Sequence, residues 1–307
     1  MPSAVPPPAH EADLIAARLG ERGIPGIIDI HTHFMPEPML RKVWAYFDSA
    51  GPLTGRTWPI AYRASEDDRL ATLRSFGVRA FTSLSYPHKP DVATWLNDWS
   101  AEFADRNPDC LASATFYPEP GATEYVRTAL EGGAQVFKVH VQVGRFDVND
   151  PLLDGVWAAL QDSGTPVVVH GGNGPVPGEF TGAARMRPLL ERFPRLTMVV
   201  AHLGMPEYGA FLDLAADFPR VHLDTTMAFT DFSEESMPFP SDRLADLVTL
   251  GDRVLFGSDF PNIPYPYAHA VDAVLGLGLG QQWERGVLHD NAARLFGRSA
   301  DYSVGQS

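Results

Sequence analysis

Eight short apolar, β-branched runs recur along the chain, at residues 27–30, 79–84, 111–116, 136–141, 167–169, 197–200, 221–223 and 254–256. From the second run onward their starts lie 24 to 33 residues apart. That is the length of one strand–helix unit, which sets successive strands parallel. Strands buried on both faces need this near-continuous apolar character. Eight such units predict an α/β fold, a (β/α)8 TIM barrel, which runs to this length as a single domain. No GxGxxG follows the first run, so an open doubly wound sheet is the second choice.

Helical spacing fills the gaps. In SEDDRLATLRSFG, Ser65 stands as N-cap, and in PLLDGVWAALQDSG the residues Leu152, Val156 and Leu160 mark one face. The first interval breaks the rhythm. Residues 34–78 add Trp44, Tyr46, Phe47, Trp58 and Tyr62 among Pro and Gly breaks. A loop that follows a barrel strand sits on the catalytic face, so this insertion is expected to cap the site, the alternative being packing against a neighbouring subunit. The expected plan is one barrel domain over residues 1–307, with an arm and helix at 1–26, the barrel at 27–297 and a tail at 298–307. The proline-rich first nine residues read as an extended arm, followed by a helix over 11–19.

Composition narrows the partners. A net charge of −14 has the wrong sign for neutralising phosphates, which argues against nucleic acid and anionic membrane and leaves a small-molecule substrate. No apolar run reaches the ~18 residues of a spanning helix. The N-terminus has no basic segment followed by an apolar one, and the single cysteine, Cys110, has no disulfide partner within the chain. A cytoplasmic protein is expected.

The histidines carry the chemistry through their placement. His31 and His33, His140, His170 and His202 all fall at or just after strand C-terminal ends, as does Asp259. In a barrel those ends share one rim. In His31-Thr32-His33 the alternation of an extended chain turns both imidazoles to one face, about 7 Å apart along the backbone. An HxH pair alone is a weak signal. With His170 and Asp259 it becomes a set of N and O donors suited to a divalent metal with one open position. Asp29, one layer deeper, is either a group that orients a ligand imidazole or a buried polar residue of the core. His202 is read as a catalytic group beside the metal, or else as a fifth ligand. Lys138 and His140 share one face of the fourth strand. The lysine is a clamp for a substrate carboxylate, a metal-bridging carbamate or a structural ion pair, with the first and last favoured. His88 sits near the rim and could touch substrate, and Tyr117, Glu119 and 224–226 also reach the rim. His10, His222, His269 and His289 are weaker candidates. Cys110 begins a strand, away from the rim, and no GxSxG elbow competes for a nucleophile.

Taken in order, DIHTHF, KVH, TPVVVHGG, VVAHLG, VLFGSDFP and DNAARLFG resemble the amidohydrolase-related family, the branch of the amidohydrolase superfamily that includes aminocarboxymuconate semialdehyde decarboxylase and related metal-dependent hydrolases. The likeness runs over 27–297. It implies a (β/α)8 barrel holding one divalent metal, zinc first and manganese second. His31, His33, His170 and Asp259 fill the ligand positions, and His202 the catalytic one. The superfamily's binuclear members bridge two metals with a carboxylated lysine, but a KVH arrangement implies a mononuclear site. Family habit implies a homodimer.

Two chemistries share such a site. In hydrolysis of a small cyclic or aromatic ester, lactone or amide, the metal activates water, Asp259 takes its proton and His202 stabilises the oxyanion. In non-oxidative decarboxylation of a small unsaturated or aromatic acid, a proton is delivered to carbon before CO2 leaves. That second reading calls for an arginine aimed at the carboxylate, with Arg145, Arg41 and Arg56 as candidates. Hydrolysis is the primary expectation, decarboxylation the alternative, and a non-catalytic metal-binding protein the third. The aromatic insertion and GGNGPVPGEF suggest the pocket for a small cyclic acid.

Overall fold

The computed structural model describes residues 10–298. The arm expected at residues 1–9, and all but the first residue of the expected tail, lie outside that range. Strands occur at β1 Ile27–Asp29, β2 Val78–Thr82, β3 Cys110–Leu111, β4 Ser113–Thr115, β5 Val136–His140, β6 Val167–His170, β7 Met198–Val200, β8 Val221–Asp224 and β9 Val254–Leu255. Each pairs in parallel with its sequence neighbour, apart from β3 and β4, which follow one another along one stave. Only Ala112 separates those two. Its N–H is taken by the Gln135 side chain at 3.2 Å in place of a neighbouring backbone carbonyl. Nine strand segments therefore make eight staves, one for each apolar run of the sequence.

Backbone bonds bring the last stave to the first. Ile30 N–H donates to Phe256 O at 3.0 Å, Asp259 N–H to His31 O at 2.8 Å and His33 N–H to Phe260 O at 2.7 Å. The approach is close enough that a Cβ on Gly257 would lie 2.1 Å from Thr226 Oγ1 and 2.7 Å from the His31 Cβ. The architecture is the (β/α)8 barrel.

An inner cluster gathers Ile28, Ala80, Leu111, Val136, Val168, Val199 and Leu255, one residue from nearly every strand. Register pairs Lys138 with Val168 and His140 with His170. Because alternate residues share a face, apolar Val136 and Val168 lie below while Lys138, His140 and His170 rise toward the C-terminal rim. The larger core cluster includes Phe81, Phe137, Trp157 and Phe211.

Helices form where periodicity and caps agree. Ser65 caps Glu66–Ser75 by accepting from Asp68 N–H. In the segment after β5, Val156, Trp157 and Leu160 are buried as the spacing requires, but Leu152 is 47% exposed and Leu153 is buried in its place. Pro151–Leu153 forms a separate 3-10 turn, so Leu152 is off the helical phase. The N-terminal helix Glu11–Glu21 docks through Glu11, whose buried carboxylate accepts from Tyr62 Oη at 2.8 Å and from Ala268 N–H at 2.8 Å. Among the described residues no helix is long and apolar enough to cross a membrane.

Candidate metal centre and active site

The rim histidines meet. Their rings run in one chain of contacts: His33 to His31 at 5.2 Å between centroids, His31 to His202 at 5.0 Å, His202 to His170 at 4.7 Å, and His170 stacked on His140 at 3.8 Å. One acceptor per ring fixes its tautomer. His31 donates from Nδ1 to Asp224 Oδ2 at 2.9 Å, His33 from Nδ1 to the Leu84 carbonyl at 2.8 Å, and His202 from Nδ1 to the Thr226 carbonyl at 3.1 Å. Each therefore carries its one in-plane lone pair on Nε2.

Ligand atoms of His31, His33 and Asp259, all buried, lie within 4.8 Å of one another. This donor set fits a divalent cation on a specific observation. His33 Nε2 stands 2.8 Å from Asp259 Oδ1 while its Nδ1 proton is committed to Leu84. Two lone pairs facing at that distance call for a positive hydrogen or a metal ion between them. His31 Nε2 likewise accepts from a cation, the Lys138 Nζ, at 3.0 Å.

Burial sets the charges. It lowers the His31 pKa to about 4, with Lys138 adding to the effect, and lowers His202 to about 4. Burial likewise carries His140 and His170 well below their ordinary value. These four rings are neutral near pH 7, as ligation requires. Burial brings Lys138 down to about 8 against the pull of Asp224 and Asp259. Burial alone would raise Asp259, but the His33 bond and the surrounding imidazoles hold it well below the usual carboxylate range.

His170 does not join the tight trio. Its Nε2 donates to the Gly174 carbonyl at 3.0 Å. Asp29 is fully buried and raised to about 7 by desolvation, yet it orients backbone and not an imidazole. It accepts from His31 N–H at 3.2 Å, Ser258 N–H at 3.1 Å and Tyr267 Oη at 2.9 Å. The carboxylate that orients an imidazole is Asp224, at the end of β8. Besides His31 Nδ1 it accepts from His202 N–H at 2.8 Å and Thr226 N–H at 3.1 Å. Its place after an apolar strand, in LDTT, was the available signal. Those bonds also hold His202 in a left-handed backbone, φ 56°, and Asp259 is left-handed as well, φ 74°. For a histidine that conformation is uncommon and is sustained by its surroundings.

A cavity of about 690 Å³ opens above these groups and includes all five rim histidines, Lys138 and Asp259 in its wall. His88 and Arg145 line it near the surface, and Arg56 lines it from the insertion. Arg56 is engaged, ion-paired with Glu235 and stacked over Phe232 at 4.0 Å. Among the described residues Arg145 makes no side-chain hydrogen bond or ion pair. Arg41 is exposed, pairs with Glu37 and stays out of the wall. Tyr117 and Glu119 serve loop packing, donating to Gly144 O at 3.1 Å and accepting from Asp91 N–H at 2.7 Å. Tyr86, which the sequence did not single out, edges onto His33 and His140 from the cavity wall.

Solved structures share this fold. An uncharacterised TIM-barrel protein of Bordetella bronchiseptica superposes with a TM-score of 0.73 at 20% identity, over 89% of this chain and 99% of that one. A 5-carboxyvanillate decarboxylase of Novosphingobium aromaticivorans, complexed with manganese and 4-hydroxy-3-methoxy-5-nitrobenzoic acid, gives 0.59 at 16% identity over 91% and 97%. A probable 2-pyrone-4,6-dicarboxylic acid hydrolase of Acinetobacter baumannii with citric acid bound gives 0.60 at 14% identity over 89% and 99%. A search of curated proteins finds no match. The amidohydrolase family model matches residues 28–298, spanning every strand but the first residue of β1 and every rim group above, and the chain belongs to the amidohydrolase family.

Proposed function

We propose that this protein is a metal-dependent hydrolase that opens a small cyclic or aromatic ester, lactone or amide. The observation that carries the reading is the convergence of His31, His33 and Asp259 beside His202 and Lys138 in the wall of one cavity. His31, His33 and Asp259 would hold the ion with His170 as fourth donor, and zinc is the first assignment, with manganese close behind for the same donors. A divalent ion there supplies a Lewis acid and lowers the pKa of water.

The chain's own groups do the rest. Asp259 accepts a proton from the attacking water as its oxygen bonds to the carbonyl carbon. The ester C–O bond then breaks, and that proton passes to the leaving oxygen. His202, neutral with its Nδ1 proton committed to the Thr226 carbonyl, has no proton on Nε2 to give an oxyanion, the role expected from the sequence. Its Nε2 instead accepts a hydrogen bond from the attacking water and orients it while Asp259 takes the proton. Residues 34–78 cap the cavity within a single barrel domain, consistent with their side chains in its wall.

Decarboxylation is the second reading, favoured by one observation, the uncommitted Arg145 guanidinium in the cavity wall, suited to a substrate carboxylate. There the ring π electrons take a proton at the carboxylate-bearing carbon, and the C–C electrons return to the ring as CO2 leaves. The test is metal content by elemental mass spectrometry on wild type and His170→Ala, followed by lactones, esters and aromatic acids with CO2 release monitored. About one ion per chain, reduced in the variant, with lactone or ester turnover and no CO2, is the expected result. A protein that takes up no ion on dialysis against Zn²⁺ or Mn²⁺ overturns both readings. CO2 release without hydrolysis selects the second.

A further inference from the structure

Helix Glu37–Ser49 follows β1 and spends its apolar face in an unusual way. Of its thirteen residues only Leu40 is buried. Met39, Val43, Tyr46 and Phe47 recur at helical spacing, and all four line the cavity. An apolar stripe on a surface helix normally rests on the core. Here Phe47 alone of the four rests on the core, while Met39, Val43 and Tyr46 face the cavity, with Tyr46 left 44% exposed. The helix is held from its other side, by Trp44 Nε1–H donating to Asn262 Oδ1 at 3.0 Å, and at its end by Phe47 stacking on Trp58 at 5.0 Å.

The cavity wall also includes Met205, Met227 and Met237. Two of them close around the loop after β6: Gly174 N–H donates to Met205 O at 2.9 Å, and Met237 Sδ would lie 3.1 Å from a Cβ on Gly174. Thioether side chains are unbranched and polarisable, and they adapt to apolar ligands of varied shape. The size of the space matters as much as its lining. At about 30 Å³ per water-sized group, 690 Å³ has room for about twenty heavy atoms, twice what a single-ring acid brings. Charge suits an anionic head on such a ligand. In a chain of net charge −14, the wall carries Lys42, Lys138 and Arg145, besides Arg56 whose charge Glu235 pairs, against a single acid, Asp259.

We propose that the substrate is an organic anion carrying an extended apolar arm, an alkyl chain or second ring, that lies between helix Glu37–Ser49 and the thioethers of Met205, Met227 and Met237. The inference rests on the cavity being the active site and narrows its substrate class. The apolar stripe then finds its partner in the bound arm.

The test uses the metal-loaded protein with benzoate, para-butylbenzoate and biphenyl-para-carboxylate, followed by calorimetry and by tryptophan fluorescence, to which Trp58 in the cavity wall contributes. Each buried methylene strengthens binding about four-fold, so after ordering costs the butyl acid is expected to bind about fifty-fold tighter than benzoate. Val43→Trp fills the helix side of the space and Val176→Trp the side by Gly174. In either variant the ratio of the two affinities should fall to about five-fold or less. Two positions are used so that a misfolded variant leaves the other to decide. Equal affinities in the wild type, no binding by any of the acids, or a ratio that survives both substitutions overturns the proposal. Arm-dependent binding by a protein that holds no metal and turns nothing over sinks the hydrolase reading alone. Turnover of small lactones without arm preference sinks only this one.

Discussion

Asp224→Asn replaces one oxygen with an amide nitrogen and should disable the metal centre without unfolding the protein. The carboxylate is fully buried and accepts from His31 Nδ1, His202 N–H and Thr226 N–H. Burial alone would raise its pKa, but His31 beside it, with His202 and Thr226, holds it well below the carboxylate range, so it is ionised. In the variant, Oδ1 can still accept from the two peptide N–H groups, and the new NH2 faces His31 Nδ1. Donor cannot face donor, so His31 must move its proton to Nε2, removing the lone pair that a metal needs. The expected loss is ten- to a hundred-fold in zinc affinity, about 1.4 to 2.7 kcal/mol, the usual effect of removing an outer partner of a ligand histidine. Stability should fall by about 2–4 kcal/mol, because three charge-assisted bonds lose their charge and the one to His31 is remade on the other tautomer. Competition against a chromophoric chelator gives the affinity, and thermal unfolding of the metal-free protein gives the stability. A folded Asp224→Asn protein that binds zinc within about three-fold of wild type would refute the tautomer argument.

Three further outcomes follow from the geometry. Gly257→Ala puts a Cβ 2.1 Å from Thr226 Oγ1 and 2.7 Å from the His31 Cβ, so it should destabilise by about 1–3 kcal/mol and weaken metal binding; an unchanged melting temperature would contradict the close approach. Cys110 is buried and burial pushes its thiol up to about 12, so a colorimetric thiol reagent should find no reactive thiol at pH 8 in the native protein and one after denaturation. Ser65→Ala removes the cap on Asp68 N–H and should cost about 1 kcal/mol in denaturant unfolding with no change in metal affinity.

Legibility in the sequence followed the range of the interaction. The strand runs, the Ser65 cap and the identity of the rim histidines are local, and they could be placed because alternation and capping act within a few residues. The direction in which a rim side chain points is set by partners far along the chain. His170 turns to Gly174 in a loop of no regular pattern, and Asp224 meets His31 from 193 residues away. Asp29 belongs to the same class: its alternation phase was readable, but nothing local showed that its acceptors would go to two peptide N–H groups and Tyr267. The insertion's aromatics were visible as a cluster. That Met205, Met227 and Met237 would join them in one wall was not, because Met205 follows β7 and the other two lie in the long connection after β8, far along the chain from the insertion.

His31, His33 and Asp259, the proposed ion ligands, bear on how the molecule is made. His33 and Asp259 are 226 positions apart, about three quarters of the described length, yet they meet at 2.8 Å. No chain synthesised short of Asp259 can offer both, and competence arrives only when the ring of staves shuts. An ion held across that seam would act as a clasp on a loop of more than two hundred residues, whose closure entropy is otherwise borne by the three backbone bonds, the Asp29 bonds to Ser258 N–H and Tyr267 Oη, and the Gly257 contact. Occupancy and global stability are then one quantity seen from two sides. Withdrawing the ion should loosen the first and last staves before any others, and hydrogen exchange at Ile30, His33 and Asp259 would record it.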